Sequence, residues 1–454
     1  MSIKSINPAN QELLAEFDMM SWEEVENKIQ KANESFNKFK NTSFEERKAL
    51  MHKLGDIMEE NIEELAKLDS LEMWMLYKDA LWDVKKSVSN VRFFADNAEK
   101  YLADKRFDEE WVKWKIVYQP LWAIFSVMPW NFPYNQVLRS VVPNIMAGNV
   151  VLMKHASNVP QVAQKIEDLF IQAWFEEGIY TNLFIPHDFT EKIVAHKHII
   201  WANVTGSEMI WRKIWELAGK NLKPSVLELG GNDAFVVLDT DDVDTAVSCA
   251  IKWRFSNHGQ KCNSSKRFIV VDSVYEEFKE KFVSKVKSMK VWDPFDESSD
   301  IGPLAKASAV DEIHRQVSET LDKWADLLAG GEKLEWNWNY YLPTVLENVS
   351  KDSPAYKEEI FGPVAPLIKV ADVDEAIQVI NDSEFGLGCS VYGDSKEEKM
   401  KIAMQADVAN VFIDGVVTSF ANLPYGWIKN TGYGKELGEA WLKAFVNEKV
   451  IVES

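Results

Sequence analysis

Positive charge, cysteine and glycine are all scarce in this chain of 454 residues. Lysine and arginine number 51 against 71 acidic residues, a formal net charge of −20. A field of that sign repels nucleic acid and anionic membranes at long range, so neither is an expected partner. An anionic small molecule would have to be held by local cations in its own pocket. The three cysteines, Cys249, Cys262 and Cys389, are too few for a disulfide framework, and a chain this long does not need one. A reducing compartment, the cytoplasm, is the expectation. No uninterrupted apolar run approaches the roughly 18 residues needed to cross a bilayer. There is no basic-then-apolar leader either; Glu12 and Glu16 fall in a first stretch that reads helical. Internal repeats and low-complexity segments are lacking. Glycine numbers 20 against 18 tryptophans, far below the usual glycine share of about 7%.

What is present reads as a globular protein of two or three domains, with 46% hydrophobic and 27% charged residues. The first third is helical in texture. Ser21 with Glu24, and Ser43 with Glu46, have capping-box spacing before amphipathic runs. From about residue 115 short apolar segments alternate with helical ones. Strands are expected at 124–130, 150–155, 182–185 and 199–205, with a helix at 135–146. That alternation predicts an α/β fold, a parallel sheet wrapped by helices, with ligands at the carboxyl ends of its strands. A second alternating block follows Gly231, with strands near 235–238, 268–271, 364–370 and 410–414. The segments 109–119 and from about 437 onward fit neither block.

Chemistry concentrates at Cys262, in Gly259-Gln260-Lys261-Cys262. A lone cysteine is usually buried packing, the reading that suits Cys249 and Cys389. Cys262 differs because it follows a Gly-Gln turn and has an upstream glutamate, Glu228, in Leu227-Glu228-Leu229-Gly230-Gly231. A thiol nucleophile with a carboxylate base fits that pair. The bland role for Glu228 is a capping or ion-paired glutamate, but the two glycines after it suggest open backbone beside the carboxylate.

This pair, together with Met128-Pro129-Trp130-Asn131-Phe132-Pro133, Val204-Thr205-Gly206-Ser207 and Glu358-Glu359-Ile360-Phe361-Gly362-Pro363 in that order, resembles the aldehyde dehydrogenase superfamily over nearly the whole chain. The subgroup it resembles most is the succinate-semialdehyde dehydrogenases. The resemblance implies a Rossmann-type NAD(P)-binding domain (1–108 and 120–228), an α/β catalytic domain (229–415) and a small oligomerisation sheet (109–119 and 437–454). A homodimer or homotetramer follows by analogy. It further implies Cys262 as nucleophile, Glu228 as base, and an oxyanion held by the Asn131 side chain and the Cys262 backbone N–H. In isolation Asn131 would read as a turn residue; the Pro-Trp-Asn-Phe-Pro context favours the oxyanion role. Trp130 belongs to the same motif and joins the cofactor-side residues. Lys154 is expected at the adenosine ribose, Glu359 at the nicotinamide ribose and Phe361 near the ring, with Gly206 and Ser207 at the pyrophosphate. No metal is called for.

NAD-preferring relatives often carry a glutamate three residues beyond Lys154; here Ser157 stands there. A serine can donate to a 2′-phosphate that a carboxylate would repel, which favours NADP over NAD. Arg139 alone could be a surface arginine, but Asn135 and Arg139 lie one helical turn apart and both can point toward Asn131. In succinate-semialdehyde dehydrogenases an arginine here pairs with the distal substrate carboxylate. Ser419 matches a second contact. Ser256 occupies a position where some relatives have another arginine, so glutarate semialdehyde or uncharged aldehydes remain alternative substrates.

Many tryptophans stand where the resembled family has glycine: Trp122, Trp201, Trp211, Trp253, Trp292, Trp427 and Trp441 most clearly, then Trp74, Trp174, Trp324 and Trp338. Tryptophan suits neither positive φ nor close backbone approach. One account is a gene in which UGA encodes glycine, read with UGA as tryptophan. The other is that the tryptophans are genuine and local backbone shifts accommodate them, in which case a non-catalytic protein of this fold stays open.

Overall fold

The structure, a computed structural model, describes residues 1–108, 112–206, 208–334 and 339–453. Both capping boxes form as the sequence predicts. Ser21 Oγ accepts from Glu24 N while the Glu24 carboxylate accepts from Ser21 N at 2.7 Å, opening the helix Trp22–Phe39. Ser43 and Glu46 do the same for Phe44–Glu60. The stretch holding Glu12 and Glu16 is not helical: Ser2–Ile6 and Leu13–Asp18 pair as an antiparallel hairpin. Phe17, on this second strand, packs with Met19 on a small cluster of Ile3, Ala163 and Phe184. Contact with the distant helix Pro160–Gln172 overrides the local helical texture.

The α/β expectation holds. Ser225–Glu228, Ile199–Thr205, Ala123–Met128, Val150–His155 and Tyr180–Asn182 lie side by side in that order, all parallel. The strand expected at 182–185 instead ends at Asn182. Gly432–Tyr433 adds an antiparallel edge beside Glu228. The inner strands Ala123–Met128 and Val150–His155 are buried along their whole length, as parallel strands covered on both faces must be. The second sheet runs Asp326–Ala329, Thr344–Glu347, Val364–Val370, Ser265–Val271, Asp233–Val237, Gly388–Tyr392, Asn410–Ile413. It is parallel except at its first pair. Each sheet has its own apolar core. A third, antiparallel sheet joins Val446–Glu453, Lys113–Pro120 and Lys105–Asp108. Among the described residues no helix is long and apolar enough to cross a membrane.

The tryptophans fall into distinct environments. Trp74, Trp174 and Trp324 have φ of 58°, 69° and 69°. Trp74 is the left-handed C-cap of Ile62–Met73, and Trp174 and Trp324 follow the ends of Pro160–Gln172 and Ala307–Leu321. Glycine is the usual occupant of such a position because it has no Cβ to meet the following carbonyl. Trp174 and Trp324 are largely exposed, so little packing offsets that cost. The buried indole N–H groups of Trp74, Trp201 and Trp427 find no acceptor. Trp122, Trp253 and Trp441 do, at Asn33 Oδ1, Asn263 O and Arg139 O. Trp338 lies outside the described residues. Replacing the exposed Trp174 and Trp324 by glycine should stabilise the protein by about 1 kcal/mol or more per site, raising the unfolding midpoint in urea. A lower midpoint would show that these side chains are native partners of the fold.

Candidate active site

Four strand ends of the first sheet converge on one region. Glu228 ends Ser225–Glu228, Thr205 ends Ile199–Thr205, Lys154 is the penultimate residue of Val150–His155, and Asn131 lies three residues beyond Ala123–Met128. Cys262 approaches from the other domain, three residues before Ser265–Val271 begins. The turn leading to it is unusual. Asn257, His258 and Gly259 all have positive φ (48°, 55° and 75°), and a Cβ at Gly259 would collide with the Gly362 carbonyl. Only glycine can occupy that position.

The thiol donates to Glu228 Oε1 at 3.4 Å, so the predicted nucleophile and base are neighbours. Burial pushes the Cys262 thiol above its usual range, and the Glu228 charge adds to this, while Arg139 and Lys266 oppose it. At rest the thiol is protonated, and Glu228 is the acceptor placed to take its proton. Asn131 Nδ2 donates to Gln260 O at 3.0 Å, and Asn257 Nδ2 donates back to Asn131 O at 2.7 Å. These two bonds lock the nucleophile turn to the Asn131 loop. The Asn131 amide carries a second N–H that can donate to another acceptor.

Cys262 lines two cavities. One of about 380 Å³ is walled by Trp130, Asn131, Thr205, Gly206, Gly230, Lys306, Glu359 and Phe361. Trp130 and Phe361 meet edge to face with centroids 5.9 Å apart, and Lys306 Nζ lies 5.4 Å from the Trp130 ring centroid. A Cβ at Gly230 would strike the Glu359 carboxylate, which accepts from Gly231 N at 3.0 Å and from Lys266 Nζ at 2.9 Å. Lys154 is buried and Lys306 half-buried; desolvation pushes each down, Lys154 further by Lys306. Thr205 Oγ1 is buried with no hydrogen-bond partner among the described residues, and the space around Gly206 is open. A buried and a half-buried cation, an orphaned hydroxyl and an open glycine at a strand end fit a dinucleotide. Ser157 is exposed on the turn after Val150–His155. Ser207 lies outside the described residues.

The second cavity, about 280 Å³, is walled by Phe132, Gln136, Arg139, Trp253, Lys261 and Ser419 among others. Arg139 reaches it, but its guanidinium is engaged. Nη2 donates to Glu228 Oε2, and Nε stands 2.7 Å from Glu436 Oε2 without hydrogen-bond alignment. Burial alone would weaken this guanidinium's hold on its proton; Glu228 and Glu436 more than restore it. Glu436 is pushed up to about 8 by burial and by Glu228 beside it, with Arg139 acting the other way.

Sequence reasoning missed Glu436, far along the chain on the strand Lys435–Glu436 that pairs with Tyr425–Gly426. It also passed over Lys266 and Arg254, charged residues close in sequence to the nucleophile motif. Lys266 Nζ donates to the carbonyls of Lys261, at 2.8 Å, and Cys262. Arg254, fully buried, donates to Val364 O at 2.6 Å, Ile360 O at 2.9 Å, Gly362 O and Ser264 Oγ at 2.9 Å.

A single sulfur reached from two sides, by a dinucleotide-sized space and by a smaller space for a second reactant, is the arrangement of an enzyme working through a covalent cysteine adduct. The chain belongs to the aldehyde dehydrogenase family, whose profile matches residues 1–451. It is 39% identical over 455 residues to a succinate-semialdehyde dehydrogenase [NADP(+)] of Mycobacterium avium, covering 99% of this chain and 96% of that one. It is 40% identical over 451 residues to a probable succinate-semialdehyde dehydrogenase [NADP(+)] of Synechocystis, covering 99% of each. Its fold is similar to the crystal structure of succinic semialdehyde dehydrogenase from Streptococcus pyogenes in complex with NADP+, at 36% identity and a TM-score of 0.96 over 99% of both chains.

Because Glu228 helps to hold the Cys262 proton, Glu228→Gln should shift the pH profile of iodoacetamide alkylation toward lower pH. In the unaltered protein alkylation should still be accelerating above pH 9, since the thiol is raised. A profile that levels off near pH 7 would contradict this geometry.

Proposed function

We propose that this protein oxidises succinate semialdehyde to succinate with NADP+, through a thioester on Cys262, as a cytoplasmic homodimer or homotetramer. The observation that carries the reading is the meeting at Cys262 of a dinucleotide-sized cavity with a smaller one walled by Arg139, Lys261 and Ser419. The relatives' names supply the particular aldehyde and cofactor.

The residues divide the work as follows. Glu228 takes the thiol proton, and the Cys262 sulfur bonds to the aldehyde carbon. The Asn131 amide and the Cys262 backbone N–H hold the oxyanion. NADP+, when bound, accepts the hydride released as that carbon becomes a thioester. Glu228 then activates the water that releases the acid and restores the thiol. Glu359 and Phe361 sit where a nicotinamide riboside would lie, and Lys154 with Ser157 stands at the carboxyl end of the strand that would face the adenosine ribose. Arg139 uses Nε and Nη2 for its two glutamates, which leaves further donors of the guanidinium for a substrate carboxylate, with Ser419 on the same wall. The small sheet offers exposed Val450 and Val452 and a fully exposed edge strand, Lys105–Asp108, as a surface for subunit association.

The test is NADPH formation followed by absorbance, with Cys262→Ala as the blank. Cys262-dependent turnover is expected, with a higher specificity constant for succinate semialdehyde than for butanal. No turnover, either by this chain or by a form with glycine restored at Trp74, Trp174 and Trp324, would overturn the reading. Preference for butanal would replace the substrate while leaving the chemistry. Cofactor choice has its own check: Ser157→Glu should shift the NADP+ to NAD+ ratio of kcat/KM toward NAD+ by about 10-fold or more. An unchanged ratio would remove Ser157 from cofactor selection.

A further inference from the structure

The two buried cations on the aldehyde-side cavity are not equivalent. Arg139 already faces Glu228 and Glu436, so even with a proton on Glu436 its charge is matched by Glu228. Lys261 is 4% exposed and has no ion-paired carboxylate among the described residues. Its ammonium donates to Ser256 Oγ at 2.6 Å and lies 3.5 Å from the Trp253 ring centroid. Neither partner is charged. The acid on the same wall, Asp79, is engaged by Asn257 N at 3.0 Å. An ammonium so deep with no carboxylate at ion-pair distance among the described residues is costly, and its burial pushes Lys261 down to about 7, with Asp79 acting the other way. An arriving carboxylate would supply the missing charge. Position supports the same conclusion: Lys261 lines only the aldehyde-side cavity, while the adjacent Cys262 opens into both.

We propose that Lys261 is the residue that selects an anionic aldehyde, its ammonium pairing with the distal carboxylate while the neighbouring Cys262 sulfur takes the aldehyde carbon. The inference rests on the ω-carboxy aldehyde reading above. It gives the net attraction for the anion to Lys261 and leaves Arg139 mainly as the group that orients Glu228. Ser256 keeps the lysine head turned into the cavity, and Trp253 and Phe132 form the apolar wall along the substrate's methylenes.

The experiment compares kcat/KM for succinate semialdehyde and for butanal, which has the same carbon skeleton length and no charge. In Lys261→Met the ratio should fall by about 10- to 100-fold, as expected for losing a hydrogen bond between charged groups, mainly through KM for the anion. Lys261→Arg should keep most of the ratio. A ratio within about threefold of the unaltered protein in Lys261→Met overturns the proposal but leaves the substrate reading intact. An unaltered protein that does not favour succinate semialdehyde overturns both.

A second measurement needs no variant and stands alone if Lys261→Met does not fold. The ratio of the two kcat/KM values cancels the titration of Cys262 common to both substrates and reports the free enzyme. Lys261 is charged below about pH 7 and neutral well above it, with Asp79 and Cys262 favouring the charged form and Lys266 and Arg254 opposing it. Lys252 and Arg139 share this wall, and Arg139, held by Glu228 and Glu436, stays cationic across the range. The ratio should therefore fall as pH rises from 6 to 9. A flat ratio over that range overturns the proposal.

Discussion

Everything at this site depends on holding two loops of the second sheet to one another, and Arg254 is the side chain that does so. Its guanidinium is fully buried and bonded to neutral acceptors: three carbonyls of the Ile360–Val364 segment and the Ser264 hydroxyl. Burial pushes even this arginine down to about 9, with Glu359 acting in the opposite sense. A charge kept there is tolerable because its donors find three carbonyls and a hydroxyl in fixed positions. The consequence is that the cofactor-side loop, with Glu359 and Phe361, and the turn that presents Cys262 cannot move independently. Lys266 adds a second tie, bonded at once to Glu359 and to the Cys262 carbonyl.

The same constraint explains how a chain of net charge −20 makes a site suited to anions. The surface is acidic, yet Arg139 and Lys266 act on the Cys262 sulfur, and Lys261 and Lys306 line the cavities that meet there. Those paired with carboxylates (Arg139 and Lys266), together with Arg254 on its neutral acceptors, position the reacting groups. Those with no carboxylate at ion-pair distance among the described residues, Lys154 and Lys306 on the cofactor side and Lys261 on the other, are the groups a ligand can neutralise. In a low-dielectric interior that distinction weighs more than the sign of the whole molecule.

Much of this was legible from residue order. The strand ending at Thr205 and the helix following Asn131 were expected where they occur, because buried parallel strands and apolar helices leave strong local patterns. The pairing of Cys262 with Glu228 rested on recognising motifs, and the two stand 3.4 Å apart. What could not be read was pairing across the fold. Arg139 looked free in the sequence because its partner Glu436 arrives from a strand almost three hundred residues later. The amino-terminal hairpin was taken for helix because its partners, Ala163 and Phe184, are equally remote. Lys261 reads as part of the nucleophile motif alone, since nothing local reveals that its ammonium meets a hydroxyl and an aromatic ring rather than a carboxylate.

The tryptophans test how far such locking can go. Around Trp441 the fold has absorbed the side chain: the indole is fully buried, stands edge to face with Phe445 and donates to Arg139 O at 3.2 Å. At Trp174 and Trp324 it has not, since a left-handed backbone and an exposed ring combine the strain of the conformation with none of the benefit of burial. A natural tryptophan can be selected for the first kind of position but has no physical reason to persist at the second. The helix ends therefore discriminate better than the core between the two origins of these residues. Their backbone keeps the conformation that glycine favours, whatever side chain is attached.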